Sequence, residues 1–185
     1  MRIVAGEHRS RVLEAPKGDA VRPTSDKVRG ALFNMLNSRG AVVDALVLDV
    51  FCGTGALGLE ALSQGARRCA FIDKNKSSLD LAKRNIQTLK ETARSQTLLL
   101  DGAKLPLRPI NIEPATLVFL DPPYGKGLAV AGLKALAENE WLAGDCFCVV
   151  EESSAITPPD GFALLQERQY GDTHITLLHY AIQPE

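Results

Sequence analysis

Apolar and polar positions fall into a regular order from Val47 onward. ALVLDVF (45–51) is a short apolar run bounded by turn residues, as expected of a strand buried on both faces. After the glycine-rich CGTG, ALGLEALSQG places Leu57, Ala61 and Leu62 at helical spacing and stops at Gly65. RCAFID (68–73) predicts a second strand. NKSSLDLAKRNIQTLKETA (75–93) carries Leu79, Ala82, Ile86 and Leu89 on one stripe and predicts an amphipathic helix. QTLLLDGA (96–103) and ATLVFLD (115–121) predict a third and a fourth strand. LAVAGLKALAENEWL (128–142) predicts a helix, and DCFCVVEE (145–152) a fifth strand. FALLQERQYGDTHITLLHY (162–180) is two extended segments around Gly171-Asp172, a hairpin pattern.

Strands alternating with helices imply an α/β fold, with a parallel sheet covered on both faces. The hairpin adds two antiparallel strands, for a mostly parallel sheet of seven. Ahead of it, residues 1–39 form an N-terminal extension. It holds a possible strand pair within 2–14 and one helix over Asp26 to Asn37, capped by Thr24 or Ser25. Residues 40–185 form the sheet domain.

Length and composition fit a single globular domain: 185 residues, 45% hydrophobic and 23% charged. No apolar run approaches the roughly 20 residues of a membrane span. The opening MRIVAGEHRSR lacks the apolar core of a secretory signal, so a cytoplasmic location is expected. Cys52, Cys69, Cys146 and Cys148 form no C-x-x-C pair and stand far from the three histidines, so neither metal nor disulfide is expected. Cys146 and Cys148, two apart in a strand, should share a face. The net charge of −1 is unevenly spread. Residues 1–39 carry eight basic side chains against four acids, about +4, which leaves about −5 for the remainder. Such asymmetry suggests a local footprint for a polyanion.

In open parallel sheets, ligands bind beyond the carboxyl ends of the strands, where the strand order reverses. The unusual residues fall at those ends: Asp49 to Gly55, then Asp73, Asp101, and Asp121 to Tyr124. Gly53-Thr54-Gly55-Ala56-Leu57-Gly58 fits G-x-G-x-x-G, and Asp73 follows at the distance of a ribose-binding acid. That pattern alone would indicate a nicotinamide dinucleotide. However, Asp49 and Phe51 precede the glycines, and an acid there opposes a pyrophosphate but attracts a cation. S-adenosylmethionine has an ammonium, a sulfonium and no phosphate. The candidate cofactor contacts are Asp49, Phe51, Cys52, Gly53, Thr54, Gly55, Asp73, Lys74, Asp101, Gly102 and Ala103. Asp73 would bind the ribose hydroxyls and Asp101 the adenine amine.

The fourth strand ends in Asp121-Pro122-Pro123-Tyr124. Here the chain resembles the adenosylmethionine-dependent amino-methyltransferases, whose corresponding strand ends in [DNS]-P-P-[YFW]. An exocyclic base nitrogen is a poor nucleophile because its lone pair is conjugated into the ring. Asp121 and the Pro122 carbonyl could accept its hydrogen bonds and stabilise the charge that develops, with the prolines fixing both acceptors. The Tyr124 ring offers a stacking surface for a flipped base, so the ring rather than the hydroxyl is expected to matter.

The resemblance extends along nearly the whole chain. MRIVAGEHRSRVLEAPKG, RPTSDKVRGALFNML, LDVFCGTGALGLEALSQGA, FLDPPY and QYGDTHITLL look like the bacterial RsmD family. That resemblance implies a Rossmann-like class I methyltransferase sheet and methylation of a guanine N2 in 16S ribosomal RNA. The expected partner is that RNA within a small-subunit particle, met by a monomer without membrane attachment. It also makes Arg22, Thr24, Lys27 and Arg29 candidate substrate contacts. Cys52, Thr54 and Asp73 depart from the family's more usual alanine, serine and glutamate. The competing readings are a DNA adenine-N6 methyltransferase, a non-catalytic RNA-binding assembly factor and, least favoured, a nicotinamide-dependent oxidoreductase.

Overall fold

The computed structural model describes residues 1–16 and 25–181. Among them, seven strands form one sheet: β1 (Leu46–Val50), β2 (Arg68–Asp73), β3 (Ser95–Leu99), β4 (Ala115–Leu120), β5 (Leu142–Glu152), β6 (Phe162–Tyr170) and β7 (Thr173–Ala181). Their spatial order is β3-β2-β1-β4-β5-β7-β6. The first five are parallel, and β7 runs antiparallel between β5 and β6. The α/β class and the antiparallel C-terminal hairpin are therefore as the residue pattern implies. The order reverses between β1 and β4, which places the ligand-binding crevice at their carboxyl ends.

Four α-helices accompany the sheet: α1 (Asp26–Asn37), α2 (Ala56–Ser63), α3 (Lys76–Thr88) and α4 (Leu128–Glu138). The Ser25 hydroxyl caps α1 by accepting from the Val28 amide at 3.2 Å. α3 and α4 are shorter than their apolar stripes imply. Each ends with a left-handed residue, Lys90 (φ 62°) or Glu140 (φ 60°). The next amide turns back into the helix, Glu91 to the Ile86 carbonyl and Trp141 to the Leu136 carbonyl. Trp141 is then fully buried, its indole N–H donating to the Pro106 carbonyl at 2.7 Å.

Two apolar cores lie on opposite faces of the sheet. One gathers Val47, Phe71, Phe119 and Val149 with side chains from α1, α2 and α3. The other gathers Val50, Ile72, Leu120 and Val150 with α4 and Trp141. Cys146 and Cys148 both fall in the second core, and all four cysteines are buried. The N-terminal segment joins the first core through Ile3, Leu13, Leu32, Phe33 and Leu36. Its expected strand pair reduces to a single bridge between Arg2 and Val12, because the chain docks on α2 instead. The Val4 and Ala5 amides donate to the Glu60 carboxylate at 2.8 and 2.9 Å. Gly6 follows at φ +83°, where an added Cβ would lie 1.9 Å from the Ser63 carbonyl oxygen. Only glycine permits that approach.

Candidate active site

Strand register brings the predicted acids together. Val50 is level with Ile72 and Leu120, and Leu120 with Val150. One step further along, Asp73, Asp121 and Glu151 therefore stand in a row across the sheet. Side chains alternate between faces with period two, so Asp49, two steps behind Phe51, points to the same face as that row. Four carboxyl groups from four strands thus crowd one side of the crevice.

The chain leaves β1 through an unusual turn. Phe51 adopts φ +63°, followed by Gly53 at +53° and Gly55 at +77°. A left-handed aromatic is strained, and it turns the Phe51 ring towards the α4 side of the sheet. There Gly102 accommodates it, since a Cβ at that glycine would come within 2.9 Å of the ring. The turn is held by acids. Asp73 accepts from the Gly53 amide at 3.1 Å and from the Asn75 amide at 2.8 Å. Asp49, 2% exposed, accepts from the Gly58 amide at 2.9 Å. Asn85 on α3 donates to the Thr54 carbonyl at 3.0 Å.

The turn after β1, the end of β2 and the loop after β4 line a cleft of about 680 Å³. Asp49, Phe51, Cys52, Gly53, Thr54, Asp73 and Lys74 face it from the expected cofactor contacts, and Asp121, Pro122, Pro123 and Tyr124 from the double-proline loop. Gly55 lies behind the wall, packed on Phe71 and Ala82. Asp101, Gly102 and Ala103 follow β3 outside the lining, where the Ala103 amide donates to Asp101 at 3.0 Å.

Burial dominates the electrostatics. It pushes the Asp49 carboxyl up to about 8, with Asp73 adding to the effect and the Gly58 amide opposing it. Asp121 is raised well above the carboxylate range, first by burial and then by the charges of Glu151, Asp49 and Glu152. The Cys52 thiol is likewise raised by burial and by Asp49 and Asp73, so it remains neutral. Such a cleft disfavours a pyrophosphate and suits a cation, which would restore the ionised state of its acids. S-adenosylmethionine fits that donor set.

The sequence-derived substrate contacts separate. Lys27 is exposed on α1. Arg22 and Thr24 lie outside the described residues. Arg29 is not the exposed contact expected: it borders the cleft, but its guanidinium is buried and held by neighbouring groups. Its Nε donates to Glu60 at 3.2 Å, and its Nη2 donates to Asp26 at 2.8 Å and to the Arg2 carbonyl. Burial of Glu60 and Arg29 demands this pairing. It ties α1 and the N-terminal segment to α2. Met1, Asn75 and Ser78, which the sequence did not single out, also line the cleft. Glu151 and Glu152 were missed as well. Their signal was the parity of Glu151 with the other strand-end acids, visible only once the register is known.

Comparison with known proteins follows this geometry. The family model described as "Conserved hypothetical protein 95" matches residues 1–179. "Ribosomal RNA small subunit methyltransferase D" of Escherichia coli (strain K12) is 34% identical, over 100% of this chain and 92% of that protein. "Putative rRNA methyltransferase YlbH" of Bacillus subtilis is 32% identical, over 96% of this chain and 97% of that protein. Among solved structures, "Putative methyltransferase yhhF from Escherichia coli" superposes with a TM-score of 0.84 at 33% identity, covering 99% of both chains.

Proposed function

The chain belongs to the RsmD family, and we propose that it transfers a methyl group from S-adenosylmethionine to the exocyclic N2 of a guanine in 16S ribosomal RNA. The observation that carries this reading is the row of acids on one face of the crevice, ending in the Asp121-Pro122-Pro123-Tyr124 loop. When bound, S-adenosylmethionine supplies an electrophilic methyl group carried on a sulfonium. Asp49 pairs with cofactor positive charge from inside the cleft. Asp73, already fixed by two backbone amides, keeps lone pairs for the ribose hydroxyls.

Asp121 and the Pro122 carbonyl act on the base. Hydrogen bonds from the amine to these acceptors aim its lone pair into the cleft, and they strengthen as nitrogen becomes cationic. As the new C–N bond replaces the methyl–sulfur bond, whose electron pair stays on the sulfur, the nitrogen must shed a proton. Ionised Asp121 takes it, and its raised affinity for protons makes it a competent acceptor. The two prolines hold the carboxyl and the carbonyl in a fixed relation. Tyr124, 37% exposed, presents a ring at the mouth of the cleft for a flipped base to stack on. Exposed Lys27 and the basic N-terminal segment supply phosphate contacts outside the acidic interior.

The test is methylation of small-subunit particles with cofactor labelled in the methyl group, followed by mapping of the modified nucleotide. The expected product is a single N2-methylguanine in the 16S RNA. Label on an adenine or on DNA, or no label in any nucleic acid, would overturn the assignment.

A further inference from the structure

Two adjacent acids at the end of β5 have no part in the reaction as described so far. Glu151 and Glu152 are 4% and 6% exposed, a state that requires hydrogen-bond donors for their carboxylates. Both reach the loop that follows β4. Tyr124 donates its phenol hydrogen bond to Glu151 Oε1 at 2.7 Å, with the Thr173 hydroxyl 3.4 Å from the same phenol oxygen. The Gly125 amide donates to Glu152 Oε2 at 3.1 Å, as does the Ser153 amide at 3.2 Å.

The arrangement has a physical cause. Pro122 and Pro123 lack amide protons, so the loop cannot be anchored by extending the sheet ladder. Anchoring must come from acceptors elsewhere, and β5, paired beside β4, brings them to the right level. Leu120 is opposite Val150, which sets Asp121 beside Glu151.

Resting on the methyl-transfer reading above, we infer that Glu151 is a positioning residue for the reaction: by accepting the Tyr124 hydrogen bond it fixes the ring on which the acceptor base stacks. The hydroxyl of Tyr124 therefore matters as the latch for its ring. This revises the expectation that the ring alone suffices.

Glu151 also shares an electrostatic neighbourhood with Asp121. The groups facing Asp121 are Asp49 from β1, Glu151 and Glu152 from β5, and Tyr124 from its own loop. Asp73 stands beyond Asp49 on β2, His174 on β7 is opposite Glu152, and Lys74 and buried Arg29 border the cleft. Among these the Glu151 charge is the foremost carboxylate influence on Asp121. Removing that charge while keeping the acceptor should let Asp121 ionise at lower pH.

Glu151→Gln keeps an acceptor for Tyr124, Glu151→Ala removes it, and Tyr124→Phe removes the donor. Single-turnover methylation of small-subunit particles should fall about 10- to 100-fold in Glu151→Ala and in Tyr124→Phe, the range for lost orientation. The double variant should be no slower than either single one. Glu151→Gln should recover most of the loss, with the acid limb of its pH profile moved to lower pH. In the free protein labelled with fluorotyrosine, the Tyr124 fluorine signal should move towards its solvent position in Glu151→Ala and stay near wild type in Glu151→Gln.

Additive losses, a glutamine variant as slow as the alanine one with an unmoved acid limb, or an unchanged fluorine signal in Glu151→Ala would each overturn the inference. If Glu151→Ala does not fold, Glu151→Gln and Tyr124→Phe still decide it through rate and pH profile. A wild-type protein that labels no ribosomal RNA sinks the methyl-transfer reading instead, and the fluorine signal then judges the latch alone.

Discussion

Asp49→Asn should make the free protein more stable and the cofactor-binding protein worse. Asp49 is buried in the middle of the sheet, and burial holds its carboxyl at about 8 against 3.8 for an unperturbed aspartate. The unfolded carboxyl gives up its proton near 3.8, whereas the folded one keeps it until about 8. Between those values the folded state binds more protons, so stability is fully present below about 3.8 and is lost as pH rises to about 8. At pH 7, with 1.36 kcal/mol per pH unit, the loss is on the order of 4 kcal/mol. Asparagine cannot ionise, yet its carbonyl oxygen can still accept from the Gly58 amide, a bond of 2.9 Å to the carboxylate. Allowing for imperfect replacement of the carboxyl's environment, Asp49→Asn should gain about 2–4 kcal/mol at pH 8. For a chain of this size that is a rise in Tm of roughly 5–15 °C.

The assay is thermal and urea unfolding of wild type and variant across pH 4 to 9. The stability difference should be near zero at the acid end, grow through neutrality and level off above pH 8. A difference that does not change with pH, or a variant less stable than wild type at pH 8, would refute the reasoning. Calorimetry supplies the other half. Affinity of the wild type for S-adenosylmethionine should rise with pH until about 8, because the cation selects ionised Asp49. The variant should bind roughly 10- to 100-fold more weakly, the scale of one charged hydrogen bond, and with little pH dependence from this position.

Three further outcomes are expected. Asp121→Ala should lower the single-turnover methylation rate by about 10²–10³ while retaining cofactor affinity, the magnitude for losing one transition-state partner; calorimetry and rapid-quench assays check the two halves. Arg29→Ala leaves buried Glu60 without its cation and should cost about 3–5 kcal/mol in urea unfolding, an effect on folding rather than on RNA affinity alone. Replacing Arg22 and Lys27 with alanine should weaken RNA binding and flatten its dependence on salt in filter-binding titrations, because fewer counterions are released.

What was legible in the sequence divides along physical lines. Period-two and period-3.6 patterns are local, so the strands of the sheet and the α-helices among the described residues could be located from spacing. The helix ends were less accessible. α2, α3 and α4 all close with the same left-handed turn, but only α2 places a glycine there, Gly65 at φ +104°. Lys90 and Glu140 occupy that position in the other two, and nothing in a lysine or a glutamate announces it. Both helices were therefore read too long. Asp49, Asp73 and Asp121 were legible because each stands in a recognisable pattern, the first two with the glycine turn and the third with the double proline. The pairing of Arg29 was not legible because a sequence shows charge but not burial; its partner Glu60, thirty-one positions away, looked like one more polar position on a helix. Glu151 and Glu152 were passed over for the converse reason. At the end of an apolar strand, an acidic pair reads as a solvated terminus until the pairing of β4 with β5 sets it beside the proline loop.

That pairing also explains why the acids accumulate where they do. At the switch point, the strands to either side carry connections that diverge, leaving their carboxyl ends uncovered by backbone. A residue there has few neighbours of its own chain segment, so its role is set by the residue level with it on the next strand. Asp73, Asp121 and Glu151 are level with one another, and Asp49 lies two residues back on the same face. Burial, and after it the charges of neighbouring carboxylates, hold Asp49 and Asp121 towards their neutral forms. Each anion that forms therefore gains most from a cation arriving in the cleft. The crevice suits a positively charged ligand by its geometry before any individual contact is considered, because the same register that gathers the acids makes it costly for Asp49 and Asp121 to ionise together without one.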